Sequence, residues 1–386
     1  MIQCVNKNNV TVLSLRRAPK LHGCVSKYED VKNHELQKKK FIGFYDRRAG
    51  RRLKHYFLRT AYHRNHTPHS EKVYKSYAEI FDQFDKMFVI FRDVLSYKPV
   101  FKQYFNQMLI EMFEDRIMYA EVRMNFLPLY GPRNATYPAK VALRLFLKIV
   151  KEFKAKHPGF LGIKIISTAS KEETTQHIKE RIKQHREFRK IYPDIFIGFD
   201  LIGYEDESKS LYELSQILLK ASDLSLFLHA GETNTHLSPI DNNVMDALLL
   251  RAKRIGHGYS ISRHPLLLDK IMSKKIPIEI CPLSNQIFGL VGDMRTHPAA
   301  EWFARGAPLV IGNDNPGRWE AKGVSYDFYF ALMGIAPEYA SLGTLKKLVW
   351  NSIEYSELSK MQRRTAFKIL KREWDTFIKR VGSLLH

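Results

Sequence analysis

Short apolar runs that stop abruptly at reactive polar residues recur through the second half of the chain. Ser225-Leu-Phe-Leu ends in His229-Ala-Gly-Glu232, Arg254-Ile-Gly leads to His257-Gly258, Ile276-Pro-Ile-Glu-Ile-Cys leads to Pro282-Leu-Ser284-Asn285, and Pro308-Leu-Val-Ile-Gly reaches Asp314-Asn315-Pro316. Runs of this length, bounded by turn residues, predict strands buried on both faces, as in a parallel sheet. Residues 118–126, 160–167 and 195–203 predict three more, and stretches of helical period lie between them at 139–156, 171–191, 211–220, 241–251, 265–274, 297–305 and 326–335. Two further helices, 342–353 and 360–381, close the chain. Ahead of the first strand, residues 77–91 space aromatic and aliphatic side chains three and four apart, which predicts an amphipathic helix with an aromatic core stripe. A second helix is expected from Val100 to Asp115, after Pro99.

Strand and helix alternating under the right-handed crossover rule predict an α/β fold, a parallel (β/α)8 TIM barrel, with seven of its eight strands legible. The eighth belongs before Glu71, where only residues 9–15 could form one. The expected division is a basic segment over residues 1–64 followed by a barrel domain over 65–386.

Charge adds one feature. The chain carries a net charge of +22. Its first 64 residues crowd Lys38-Lys39-Lys40, Arg47-Arg48 and Arg51-Arg52 against only Glu29, Asp30, Glu35 and Asp46. Such a segment is either a solvated arm or a site for a heparin-like polyanion. Cys4, Cys24 and Cys281 are too few and too odd a set for a disulfide framework. No signal peptide is visible at Met1 and no segment is apolar enough to span a bilayer, while sequons at Asn9, Asn65 and Asn134 point weakly to secretion.

Reactive residues at the carboxyl ends of successive strands mark the functional rim of a barrel. His229 suits a metal ligand, because neutral imidazole is a common nitrogen donor for zinc, although a lone histidine is more often structural. Glu232, past a flexible glycine, can turn back over the same site as an acid or base. His257 sits between two glycines, and its plainer reading is a histidine satisfied by a neighbour. Asp314 is a ligand or base, or else the cap of an Asx turn.

At these positions the chain resembles the adenosine deaminase family, through His229-Ala-Gly-Glu232, Arg254-Ile-Gly-His257-Gly258, Glu279-Ile-Cys-Pro-Leu-Ser284-Asn285 and Asp314-Asn315-Pro316. Longer strings, among them Gly198-Phe-Asp200-Leu-Ile-Gly203-Tyr-Glu-Asp206 and Met294-Arg-Thr-His297-Pro298, are similar to its secreted branch, the adenosine-deaminase-related growth factors. The resemblance runs from about Tyr74 to near the C-terminus. It implies a metal-dependent hydrolase barrel acting extracellularly, which converts adenosine, and deoxyadenosine with it, to inosine and ammonia using Zn2+. A growth-factor role and a homodimer are implied as well. It also implies that His229 and Asp314 bind zinc, that Glu232 gives a proton to purine N1, and that His257 orients or deprotonates the attacking water. Gly203 would meet purine N3 through its backbone.

Two departures follow from that resemblance. The family's first strand carries a His-x-His pair that supplies two zinc ligands, and no such pair occurs in this sequence. His22, His55, His63, His66 and His69 lie where it is expected, without the spacing. The first strand is therefore missing or replaced: the chain is an incomplete or misassembled version, or a variant that has lost metal. Asn315 stands where the family usually has aspartate against purine N7, and an amide can still donate there. Three functions stay open: adenosine deaminase, a catalytically impaired relative that binds nucleoside or polyanion, and a sister enzyme acting on adenine or the nucleotide.

Overall fold

The protein is described here by a computed structural model covering residues 77–132, 135–319, 321 and 323–383. Seven strands expected from the sequence form: β1 Tyr119–Arg123, β2 Gly162–Ser170, β3 Phe196–Ile202, β4 Phe227–Ala230, β5 Arg254–His257, β6 Ile278–Ile280 and β7 Leu309–Ile311. All pair in parallel in chain order, with a single bridge, Phe199 to Leu226, joining β3 to β4. Helices lie between consecutive strands, which is the (β/α)8 class of architecture. The candidate eighth strand and the basic segment over 1–64 lie outside the described residues.

Contacts divide the described residues into two compact units. The larger holds all seven strands. Its interior carries a layer of charge that tells how the sheet is curved. Arg123 of β1 reaches Asp200 of β3 at 2.6 Å and Glu279 of β6 at 2.7 Å. Arg254 of β5 pairs with Glu279 at 2.6 Å and with Glu121 of β1. Strands so far apart in pairing order can share ion pairs only if the sheet curls back on itself, as a barrel does. Large apolar side chains fill the space between strands and helices, including Phe199, Phe227, Ile255, Ile278, Leu268 and Trp302, each fully buried. Gly198 faces a tight approach: a Cβ there would lie 2.3 Å from the Phe227 ring and 2.4 Å from the Ser225 carbonyl. The closing helices Leu342–Glu354 and Lys360–Ser383 are tied to the strands by Asn351, which donates to the Leu309 carbonyl at 2.9 Å.

The smaller unit contains helices Tyr77–Leu95, Lys98–Glu114 and Ala139–Lys156 and a short hairpin of Leu129–Tyr130 with Thr136–Tyr137. Its packing is aromatic. Phe105 meets Phe146 edge-on at 5.0 Å, and the predicted stripe of the first helix runs Phe81, Phe84, Phe88 in successive edge contacts. The Arg318 guanidinium lies over Phe84 and Phe88 at 3.9 and 3.3 Å from the ring centres, so the stripe is covered by a cation as well as by carbon.

Several boundaries differ from expectation. β2 runs on to Ser170, and the following helix starts at Thr175 rather than 171 because Thr174 caps it, accepting from the His177 N–H. The expected helix over 241–251 shortens to Asn243–Leu249, and that over 297–305 to Ala299–Ala304. Ser284 and Asn285, read as the end of a strand, lie instead on a helix, Pro282–Ile287, which Pro282 opens.

Removing one member of the interior charge layer should be costly, because its partners stay buried. Arg254→Ala is expected to destabilise the fold by about 3–5 kcal/mol, read from the denaturant midpoint at unchanged slope. Burial raises the Glu279 carboxyl, but Arg123 and Arg254 outweigh it and hold the group down at about 2. A depressed carboxylate contributes stability above its unfolded value near 4.5 that is lost as pH falls through about 2. Acid titration of unfolding should show that loss in the native chain and a smaller one in Arg254→Ala.

Candidate active site

Register sets the site. His229 pairs with Gly256 and Ala230 with His257, so the ends of β4 and β5 place two imidazoles side by side, ring centres 4.9 Å apart. Glycine at 256 makes room: a Cβ there would stand 3.1 Å from His229 Nδ1.

The fully buried Asp200 carboxylate fixes the His229 ring. It accepts from the His229 backbone N–H at 2.9 Å and from Nδ1 at 2.6 Å, and Arg123 donates to it at 2.6 Å. Burial raises this carboxyl, yet His229 and Arg123 hold it well below the usual carboxylate range. An Nδ1–H donated to a carboxylate leaves the lone pair on Nε2, the arrangement in which histidine presents itself to a metal.

Glu232 follows through a forced turn. Gly231 has φ +82, and a Cβ on it would strike Val244 at 2.7 Å and Ser260 at 2.8 Å, so only glycine fits. The buried Glu205 carboxylate then clamps the turn. It accepts from the backbone N–H groups of Gly231 at 3.1 Å and Glu232 at 2.8 Å and from Asn243 Nδ2 at 2.6 Å. Lys171, also buried, pairs with Glu205 at 3.3 Å and donates to the His229 carbonyl at 2.8 Å. Burial, and then the charges of Asp314 and Glu205, push the Glu232 carboxyl well above its ordinary range, which favours its protonated form. Its Oε1 lies 3.5 Å from His257 Nδ1.

His257 ends β5 at φ +59 and is buried; burial and the neighbouring His229 lower it to about 3, so it is neutral. Asn285 Nδ2 lies 3.3 Å from its Nδ1. On the same short helix, Ser284 Oγ donates to Asp314 at 2.8 Å, and Asn315 Nδ2 donates to the other Asp314 oxygen at 2.5 Å. Asp314 therefore binds side chains rather than capping the next segment. Its φ of +48 and its charge, felt by both Glu232 and His257, put it at the same rim. Gly203 ends β3 at φ +119, where a Cβ would lie 2.9 Å from Ser170 Oγ.

His229, Glu232, His257 and Asp314 thus come together, with Asn315 on Asp314. Sequence reading gave no role to Asp200, Lys171, Glu205, Asn243 or Asn285, which hold them. One signal was present for Asp200: a carboxylate inside an apolar strand requires a buried partner. For a metal, the donor set is short. His229 Nε2 and Asp314 are suitable donors, but a catalytic zinc takes three protein ligands, and no group of three His, Cys, Asp or Glu able to hold an ion occurs among the described residues. The histidines at 22, 55, 63, 66 and 69 lie outside those residues.

Comparison with known proteins bears on the family and the fold. The adenosine deaminase family model matches residues 61–371. Adenosine deaminase 2 of Homo sapiens is 38% identical over 321 residues, 82% of this chain and 63% of that protein, so the chain spans less than two thirds of that relative's length. Among solved structures, Arabidopsis ADAL complexed with IMP superposes with a TM-score of 0.64 at 17% identity, covering 84% of this chain and 87% of that one. An amidohydrolase from B. ambifaria with bound Zn does so at 0.61 and 16% identity, covering 75% and 77%. Those two likenesses show the shared fold. The family match, with His229, Glu232, His257 and Asp314 gathered on one rim, shows that the chain belongs to the adenosine deaminase family, a family of hydrolases.

Proposed function

We propose that this chain carries out hydrolytic deamination of adenosine and deoxyadenosine, releasing inosine or deoxyinosine and ammonia. The observation that carries the reading is Glu232, a buried carboxyl raised well above its ordinary range by burial and the Asp314 charge, 3.5 Å from His257. Water adds at C6 while the proton of Glu232 goes to purine N1, which takes up the charge that develops as the ring loses aromaticity. The C6–N bond then breaks. Both protons of the added water end in the products, one on N1 by way of Glu232 and one on ammonia. Asn315 has a second amide N–H for purine N7 beyond the one given to Asp314, and the Gly203 backbone approaches N3 where no side chain is tolerated.

A metal is suggested by the family and by the zinc-bound neighbour. His229 through Nε2 and Asp314 would be two of its ligands. Zinc in such a site lowers the pKa of water to about 7. The same reading has the protein act outside the cell, with a growth-factor role, a homodimer and polyanion binding by the segment before residue 65 as further proposals from resemblance and charge. Among the described residues no helix is long and apolar enough to cross a membrane.

Inosine formation by the purified full chain with added zinc is the test. Glu232→Gln should lower kcat by roughly 10²–10⁴. Wild-type protein that binds purine yet turns over no faster than this variant would establish the impaired, binding-only relative instead. Because Glu232 acts in its protonated form and its pKa is raised, the rate should fall with rising pH only above the ordinary carboxyl range, and a fall near 4.5 would count against it. A chelator should abolish turnover and zinc restore it; His229→Ala should hold less zinc by elemental analysis than wild type.

A further inference from the structure

His297 and Asn285 form a buried relay whose hydrogens can be assigned in only one way. The Ala299 backbone N–H, which can only donate, meets His297 Nδ1 at 3.0 Å. His297 Nδ1 must therefore accept, and the ring's proton sits on Nε2. That Nε2 lies 3.1 Å from Asn285 Oδ1, so the histidine donates and the amide oxygen accepts. With its oxygen fixed, Asn285 turns its Nδ2 toward His257 Nδ1 at 3.3 Å. Asn285 and His297 are fully or nearly fully buried, at 0% and 2% exposure, so water does not offer either an alternative partner.

We propose that His297 and Asn285 are positioning residues that hold His257 in the tautomer with its proton on Nε2 and its Nδ1 lone pair occupied. Resting on the deaminase reading, this decides between two roles for His257. With Nδ1 engaged and Nε2 protonated, the ring meets the attacking oxygen as a donor that orients it, and it is not the base that removes its proton. Glu232 Oε1 also faces this Nδ1, at 3.5 Å, a longer approach than the one from Asn285. Burial lowers His297 to about 4, so the far ring of the relay is the neutral one its two hydrogen bonds describe. The helix Pro282–Ile287 thereby serves the site twice, through Ser284 on Asp314 and Asn285 on His257.

The test is a two-bond nitrogen–proton correlation spectrum of the full chain labelled with 15N-histidine, with the His257 signal identified by its loss in His257→Gln. The expected pattern is that of an Nε2–H imidazole; a pattern of Nδ1–H in the wild type overturns the relay whatever the enzyme's activity. Asn285→Asp replaces the donor by an acceptor, and should move the His257 proton to Nδ1 and lower kcat on the order of 10²-fold with KM changed far less. His257 signals unchanged in a folded Asn285→Asp would also sink the proposal. His297→Gln, which keeps a donor near Nε2, should retain the wild-type signal, whereas His297→Leu frees the amide and should give a mixture of tautomers. An Nε2–H signal in a chain without turnover would uphold the relay and reject the deaminase reading, so the two fail separately.

Discussion

The site depends on one carboxylate having nowhere else to go. Asp200 is wholly enclosed, and a charge in that position is tolerable only if several donors surround it. Arg123 supplies the opposite charge, and both nitrogens on the near side of His229, backbone and ring, supply the hydrogen bonds. The bond from Nδ1 fixes which way the imidazole faces and which nitrogen is left with a lone pair. Arg123 in turn is shared with Glu279, and Glu279 with Arg254, so the orientation of one ring at the rim is continuous with the ion pairs that close the barrel interior. Stability and function draw on the same buried charges.

Glu205 repeats the device one residue further along. A buried lysine balances it, and its oxygens take the two backbone N–H groups of the Gly231–Glu232 turn. That turn would otherwise bury unsatisfied donors, a cost of about 1–3 kcal/mol each. Two carboxylates, two cations and one glycine-dependent turn thus define where His229 and Glu232 point, before any ligand arrives.

The strands were legible because each apolar run is short, continuous and bounded, and burial on both faces leaves such runs no other reading. The rim was legible for the converse reason: His229, Glu232, His257 and Asp314 interrupt apolar runs, and packing alone does not explain polar side chains there. What escaped was everything set by distance along the chain. Asp200 lies 29 residues before His229, Glu205 lies 27 before Glu232, and Asn285 lies 28 after His257. No local period links such pairs; they meet only because parallel strands return each βα unit to the same rim. The helix Pro282–Ile287 escaped because six residues are too few to display a 3.6-residue repeat.

The protons at the rim make a balance that singles out one residue. Asp200 is matched by Arg123, Glu205 by Lys171, and burial favours the protonated form of Glu232. His257 is neutral, and His229 gives its Nδ1–H to Asp200. Of these carboxylates only Asp314 has no cationic partner among the described residues: its oxygens receive two neutral donors, Ser284 and Asn315. It is also the one exposed, and its backbone sits in the left-handed region at φ +48. Among the described residues Asp314 is thus the rim carboxylate whose partners are neutral donors alone, which sets it apart from the ion-paired Asp200 and Glu205.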